Sequence, residues 1–363
     1  MKKPFVPKSL PLKSLDWVKF ITLIGQANAE LARYDGILQG IVNPGVLLSP
    51  LATKEAVVSS KIEGTQASLE EVLEYEASPD IPTEKYNDIR EIINYREAMK
   101  HALVWLKKKP ITLNLIKELH EILLDSVRGR DKGRGRFRMV QNWIGKPGAT
   151  MEQATYIPPD PNYLMEHLST LEKYIHFDEK DRLVQLAIVH AQFEIIHPFV
   201  DGNGRLGRIL IPLFLFEKEI LGSPMFYVSE FLEEHRDEYY SRLNGVTKNG
   251  QWDNWVEFFL RAIIAQAKVN SQKAKAILNL YNVKKDRITE VTHSSYVIRI
   301  LDTLFAEPIF STTRFIKASK IPKASAMRLV KILKKENIVK TLRPGSGRRP
   351  EILVFKKLMD IVA

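Results

Sequence analysis

Two stretches of this sequence are apolar on nearly every side, and they limit what the chain can become. Residues 181–196 place Leu183, Val184, Leu186, Ala187, Ile188, Val189, Phe193, Ile195 and Ile196 around the whole circumference of a helix. Residues 206–220 repeat the pattern, with Pro212 as an expected kink. A helix with no polar face has to be enclosed by protein, so this pair belongs at the centre of a domain. The segment that joins them is polar: His197-Pro198-Phe199-Val200-Asp201-Gly202-Asn203-Gly204-Arg205-Leu206-Gly207-Arg208. Backbone groups of a loop held between buried helices must find partners, and a ligand can be one of them.

The rest of the body reads as helices that enclose the pair. A helical pattern covers 14–40, and Asn43-Pro44-Gly45 is a turn. Ser49-Pro50 opens a helix that runs to about Ile62 and ends at Glu63-Gly64. Ser68 and Glu71 have the spacing of a capping box. After the linker Ser78-Pro79-Asp80-Ile81-Pro82, Thr83 and Thr112 are expected to cap two amphipathic helices. Residues 128–161 break the pattern with glycines and arginines, and 140–144 is expected to pair with 154–157 as a hairpin. Helical patterns return at 230–243 and 252–268. The fold class expected is mainly α, divided into an N-terminal helical region (1–110), a core (111–280) and a C-terminal domain (281–363).

That last division rests on charge as well as pattern. Residues 281–363 hold 18 Lys/Arg against 7 Asp/Glu, so they carry the whole +11 of the chain and leave the first 280 residues neutral. Their order is a helix (294–305), a short helix capped by Ser311, a turn at Ile321-Pro322, a third helix (325–336), and two strands (338–342, 351–355) around a tip at 343–350. This is the order of a winged helix. Lys323, Ser325, Arg328 and Lys331 fall on or just before the third helix, and Arg343, Arg348 and Arg349 on the wing. Such asymmetry implies an acidic partner, either DNA or a docking protein.

The joining loop carries the chemistry. Its glycines let backbone approach a ligand closely, and it runs into a helix N-terminus whose free N–H groups favour an anion. Arg205 and Arg208 lie three apart on one face and suit phosphate, Asp201 suits Mg2+, and His197 suits a general base. His190 and His197 lack a convincing third ligand for a metal. With no cysteine anywhere, thiol catalysis and Cys-ligated metal sites are excluded. The composition fits a reducing cytoplasm, and no segment has the roughly 18 consecutive apolar residues of a membrane span.

Residues 197–208 resemble the full signature of the Fic family, His-Pro-Phe-x-Asp-Gly-Asn-Gly-Arg-x-x-Arg. The resemblance implies a protein AMP transferase that uses ATP and Mg2+ to modify a Ser, Thr or Tyr hydroxyl of a target protein and of itself. It implies His197 as the base, Phe199 as the loop's anchor and Asp201 as the Mg2+ ligand. Gly202, Asn203 and Gly204 would form the turn around the α- and β-phosphates, with Arg205 and Arg208 on the β- and γ-phosphates. Gly204 stands where kinase-type relatives carry Lys, which favours AMP transfer. Thr155-Tyr156-Ile157-Pro158-Pro159 resembles the family's flap, which aligns the target as an added strand, and Tyr239-Tyr240 the aromatics beside adenine. Ser59-Ser60-Lys61-Ile62-Glu63-Gly64 resembles the inhibitory motif, whose glutamate (Glu63) pairs with the second signature arginine (Arg208). Relatives often form homodimers. Gly135-Arg136-Phe137-Arg138 with Asn142-Trp143-Ile144-Gly145 resembles the strand leading to the flap, which gives the basic run Arg128, Arg130, Lys132, Arg134, Arg136 and Arg138 a structural role. Two rival readings differ in what the site does: a nucleotide-sensing, nucleic-acid-binding regulator, and the reverse enzyme, which removes AMP.

Overall fold

The computed structural model describes residues 3–79, 83–125, 132–146, 148–347 and 349–363. Asp80, Ile81 and Pro82 of the expected linker, Arg128 and Arg130 of the basic run, and Arg348 of the wing lie outside the described residues. The body contains helices α1 (Trp17–Gln39), α2 (Pro44–Leu47), α3 (Ser49–Ile62), α4 (Leu69–Ala77), α5 (Tyr86–Leu106), α6 (Leu113–Leu123), α7 (Leu164–Ile175), α8 (Arg182–Ile196), α9 (Asn203–Glu217), α10 (Ser229–Glu234) and α11 (Arg236–Asn249). A 41-residue helix, α12 (Trp252–Thr292), leads out of it. The C-terminal region adds α13 (Val297–Ala306), β1 (Ile309–Ser311), α14 (Thr312–Ser319), α15 (Lys323–Lys335), β2 (Lys340–Arg343), β3 (Ile352–Val354) and α16 (Lys356–Val362).

The two apolar helices are at the centre. Asp181 starts α8 by accepting from the N–H groups of Leu183 and Val184, and 13 of the helix's 15 residues are buried. Around the α8–α9 pair pack α5, α6, α7, α11 and α12, while α1 lies along α12. Local signals acted as their chemistry dictates at α4, where Ser68 and Glu71 form the reciprocal box, and at α6, where Thr112 accepts from Leu115 N–H. At α5 the cap falls elsewhere. Thr83 Oγ1 accepts from Lys85 N–H, two residues on, and the helix starts at Tyr86 with no side-chain cap.

Two expectations are corrected, for the helix at 230–243 and for the hairpin. The helix expected at 230–243 is two helices, α10 and α11, broken at His235. The hairpin of 140–144 with 154–157 contracts to one antiparallel bridge, Ile144 with Tyr156, because the glycine-rich turn between them bends into a short 3-10 segment at Met151–Gln153. The division at 280/281 falls inside the continuous α12, whose buried stripe serves the body at Trp255, Phe259 and Ile263 and continues at Ile277 and Ile288 toward the C-terminal elements.

The C-terminal strands form one antiparallel sheet in the order β1-β3-β2, with Phe310 and Thr341 both opposite Leu353. Element order and sheet order are compatible with a winged helix. This module packs on the body through α2, α3 and α4. Ser311 Oγ donates to the Ala77 carbonyl at 2.9 Å, and Arg343 lies 3.9 Å from Glu74.

Candidate functional site

The site is built at the break between α8 and α9. His197 closes α8 in the left-handed region at φ 49°, and Gly202 opens α9 at φ 80° with no side-chain cap. The turn is held from below. Phe199 is fully buried and stacks on His120 at 3.7 Å, and Asn203 Oδ1 accepts from Phe199 N–H at 2.9 Å. His120 Nε2 meets the Asp201 carbonyl, and burial lowers its pKa to about 4. No side chain caps α9, and an uncapped helix N-terminus suits an anion.

His197 is partly buried, with Nδ1 enclosed, and the desolvation of its ring lowers its pKa to about 4 against the opposing pull of the Glu194 carbonyl, Glu63 and Asp201. It is therefore neutral at pH 7, as a base must be. Arg138 holds the turn's backbone, donating from Nε to the His197 carbonyl at 3.0 Å and from NH2 to the Pro159 carbonyl. This gives one member of the basic run a structural role. Asp201 faces the same turn. Burial works to raise its pKa, but Lys132, Arg205 and the Gly202 N–H outweigh it and keep the carboxylate ionised.

The two signature arginines are both buried and already engaged. Arg208, 1% exposed, donates from Nε to Ser59 Oγ at 2.8 Å, and from NH2 to the Ser59 carbonyl at 2.8 Å and to Glu63 Oε1 at 2.7 Å. Burial works to lower its pKa, yet Glu63, Tyr239 and Glu194 together outweigh it and raise it. Arg205, 4% exposed, pairs with Glu91 of α5 at 2.9 Å and with Asp201 at 3.4 Å. The Glu63 carboxylate also covers the start of α9. A Cβ placed on Gly204 would lie 2.2 Å from Glu63 Oε1, so no larger residue fits there while Glu63 stays. Gly64 follows Glu63 at φ 101°, a region that favours glycine and lets the chain turn away after the carboxylate. An acidic group thus occupies the anion position of the helix N-terminus.

Residues that the sequence did not single out hold this arrangement. Arg236 NH2 donates to the Ile62 carbonyl at 2.6 Å and pins the end of α3. Gln66 N–H donates to Asp88, and Thr65 Oγ1 to Glu91, which ties the segment after Glu63 to α5. Two buried carboxyls flank the cluster: burial raises Glu55 to about 7 and Glu194 to about 8. None of these has a local motif, since each partner is remote in sequence.

The remaining candidates are placed differently from one another. Tyr239 is 1% exposed among Trp255 and Phe258, and its hydroxyl meets His190 Nε2 at 3.0 Å. Tyr240 is 38% exposed with Arg236 over its ring, so of the two it is the one that offers an open face. His190 is turned to Tyr239 and the Gly207 carbonyl. Among the described residues no cluster of three His, Cys, Asp or Glu could hold a metal. In the flap segment, Tyr156 OH donates to the Ile195 carbonyl, and Ile157 and Pro158 are buried. The Ile157 carbonyl is taken by Phe5 N–H at 3.0 Å, so the N-terminal arm lies along this segment.

The Fic/DOC family N-terminal model matches residues 21–104, and the Fic/DOC family model matches residues 110–215. Protein adenylyltransferase fic-1 of Caenorhabditis elegans is 27% identical over 190 residues, which are 50% of this chain and 34% of that protein. Protein adenylyltransferase Fic of Culex quinquefasciatus is 30% identical over 223 residues, 57% of this chain and 40% of that protein. The chain therefore spans well under half the length of these curated relatives. Among solved structures, a Fic family protein from Desulfovibrio desulfuricans G20 has a TM-score of 0.55 at 18% identity, covering 98% of both chains. Fic-1 (aa134 - 508) from C. elegans has a TM-score of 0.52 at 21% identity, covering 73% of this chain and 74% of that one. These likenesses show a shared fold. No described helix is long and apolar enough to cross a membrane.

Proposed function

The chain belongs to the Fic/DOC family, and on that premise we propose that it transfers AMP from ATP to a Ser, Thr or Tyr hydroxyl of a target protein, and to itself, under restraint by Glu63. The observation that carries this reading is the carboxylate of Glu63 on Arg208, set over the uncapped start of α9. A site made for an anion is filled by an anion from its own chain.

In this reading neutral His197 takes the proton of the attacking hydroxyl. Its Nδ1 is enclosed, which leaves Nε2 as the nitrogen to act. The N–H groups of Asn203 and Gly204 hold the α- and β-phosphates, and Gly202, whose N–H is given to Asp201, forms the turn that leads to them. Arg205 and Arg208 balance the charge of the β- and γ-phosphates. Positioning and electrostatic stabilisation supply most of the catalysis in phosphoryl-type transfer. The new bond forms between the hydroxyl oxygen and the α-phosphorus, and the bond to pyrophosphate breaks. Mg2+ fits Asp201, an ionised and partly exposed carboxylate, because that ion is ordinarily held by one or two carboxylates together with phosphates. When bound, the ion would add positive charge beside those phosphates, and Lys132 would release the carboxylate.

Glu63 restrains the reaction because Arg208 cannot serve both the carboxylate and a γ-phosphate. The arrangement gives Gly204 two duties, an open turn for phosphate and room for Glu63. The open face of Tyr240 would take the adenine, with the ring of Tyr239, itself held by His190, packed against it. The lack of cysteine supports a reducing cytoplasm as the site of action. Incubating the purified chain and a cell lysate with α-labelled ATP and Mg2+ tests the activity. Label on protein that requires His197 supports it, and label absent from every variant in which Glu63 has been removed refutes it.

A further inference from the structure

The cations of the C-terminal module are sorted by position. Its acidic residues are largely spent on internal partners: Glu290 and Glu336 on Arg287, Glu307 on Arg314, Glu351 on Lys334, Asp360 on Lys356 and Asp302 on Tyr281. Arg343 is turned to Glu74 of the body. Lys285, Lys340, Arg349 and Lys357 are also exposed without an ion pair among the described residues, but the densest group of free cations lies on the outer face of α15, a helix without a single acidic residue. Lys323, Arg328, Lys331 and Lys335 are exposed there, and none has an ion pair among the described residues. Lys317 and Lys320, just before it, are exposed in the same way.

The spacing on α15 matters as much as the charge. Ala324, Arg328, Lys331 and Lys335 recur at intervals of four, three and four, so they form one stripe along the helix. Met327 lies beside the stripe and is 50% exposed, an apolar side chain half open to solvent among cations. The opposite stripe, Ala326, Leu329, Val330 and Leu333, is buried in the module. A rigid helix of 13 residues, about 20 Å long, anchored on its back and cationic on its front, matches a major groove that admits one α-helix. Lysines at its ends reach phosphates, while small and apolar side chains such as Ala324 and Met327 can lie against base edges. A merely solvated face has no need for a half-exposed methionine or for the complete exclusion of acids.

We propose that this face of α15, with Lys317 and Lys320 beside it, binds duplex DNA. The inference rests on the module alone and stands apart from the AMP-transfer reading. The test is fluorescence anisotropy of a labelled mixed-sequence duplex of about two helical turns with the full chain, at about 50 mM salt. Binding should weaken with salt along a log–log slope of about −4 to −5, as expected for some five neutralised phosphates. Arg328→Glu combined with Lys331→Glu should lower the affinity at least tenfold and flatten the slope by about 2. Both residues are exposed, so the melting temperature should not move. Lys107→Glu combined with Lys108→Glu, an exposed basic pair on the body, should leave binding unchanged. Absence of binding at low salt would overturn the proposal. So would equal losses from the two double variants, tighter binding of single strands than of duplex, or preference for polyglutamate over DNA.

Discussion

The body and the C-terminal module use the same residue types in opposite ways. In the first 280 residues 36 basic side chains balance 36 acidic ones, and the arginines of the signature are buried and paired: Arg208 with Ser59 and Glu63, Arg205 with Glu91 and Asp201. In the module most acids are paired and surplus cations face solvent, most densely along α15. Buried charge at close range is screened little by salt, whereas an exposed field of one sign is screened strongly. The contrast separates two kinds of recognition. The body holds one anion at a fixed point, and the module offers a sequence-tolerant electrostatic surface. They are joined physically, since α12 runs through both and the module packs on α3, the helix that carries Ser59.

The largest effect should come from the body. Replacing His197 removes the base and should reduce AMP transfer by about 10²–10⁴, measured as label from α-labelled ATP. His197 sits at φ 49°, which alanine tolerates poorly, so His197→Asn is the cleaner variant: asparagine accepts that backbone but cannot act as the base. Transfer that survives in both would remove the mechanism. Salt should then split the two regions. Between about 50 and 200 mM, DNA affinity should fall by about 10²–10³, while AMP transfer changes less than about threefold. Parallel losses would mean that the two surfaces are not distinct.

A smaller effect concerns pH. With its pKa lowered to about 4 by desolvation, His197 stays neutral as pH falls, and it loses its base function only as pH passes through about 4. An ordinary histidine, near 6.5, would have lost about thirtyfold of its neutral form by pH 5. The pH dependence of kcat/KM, with Mg2+ saturating and the fold monitored by circular dichroism, should therefore stay nearly flat from pH 7 to about 5. A drop centred near 6.5 would show that His197 is exposed in the working enzyme.

Most of what was legible in the sequence was local. The encased helices α8 and α9, the glycine turn between them and the capping box at Ser68 each follow from neighbours within a few residues. So did the candidate brake, because Ser59 and Glu63 lie one turn apart on α3 and meet Arg208 together. What stayed hidden depended on remote partners. Arg205 reads as a free phosphate ligand until Glu91, 114 residues away, is brought against it. Phe5 reads as part of a terminal arm until its N–H meets the Ile157 carbonyl. The length of α12 was hidden for another reason. Past Lys268 it keeps only a narrow buried stripe, with a polar surround that resembles a linker in sequence.

The central claim is that Glu63 occupies the place of the γ-phosphate on Arg208, and it can be tested by removing the carboxylate. Wild type, Glu63→Gly, and Glu63→Gly with Arg208→Ala are incubated with α-labelled ATP and Mg2+, and incorporated label is measured. The account predicts that Glu63→Gly raises AMP transfer, including onto the chain itself, by at least about tenfold. That corresponds to about 1.4 kcal/mol and lies within what one charge-assisted contact can supply. Adding Arg208→Ala should reverse much of the gain, since the γ-phosphate again lacks its partner. Unchanged or lower labelling in Glu63→Gly would contradict the account. In that case the Glu63–Arg208 pair would either hold the fold or serve the reverse, AMP-removing reaction.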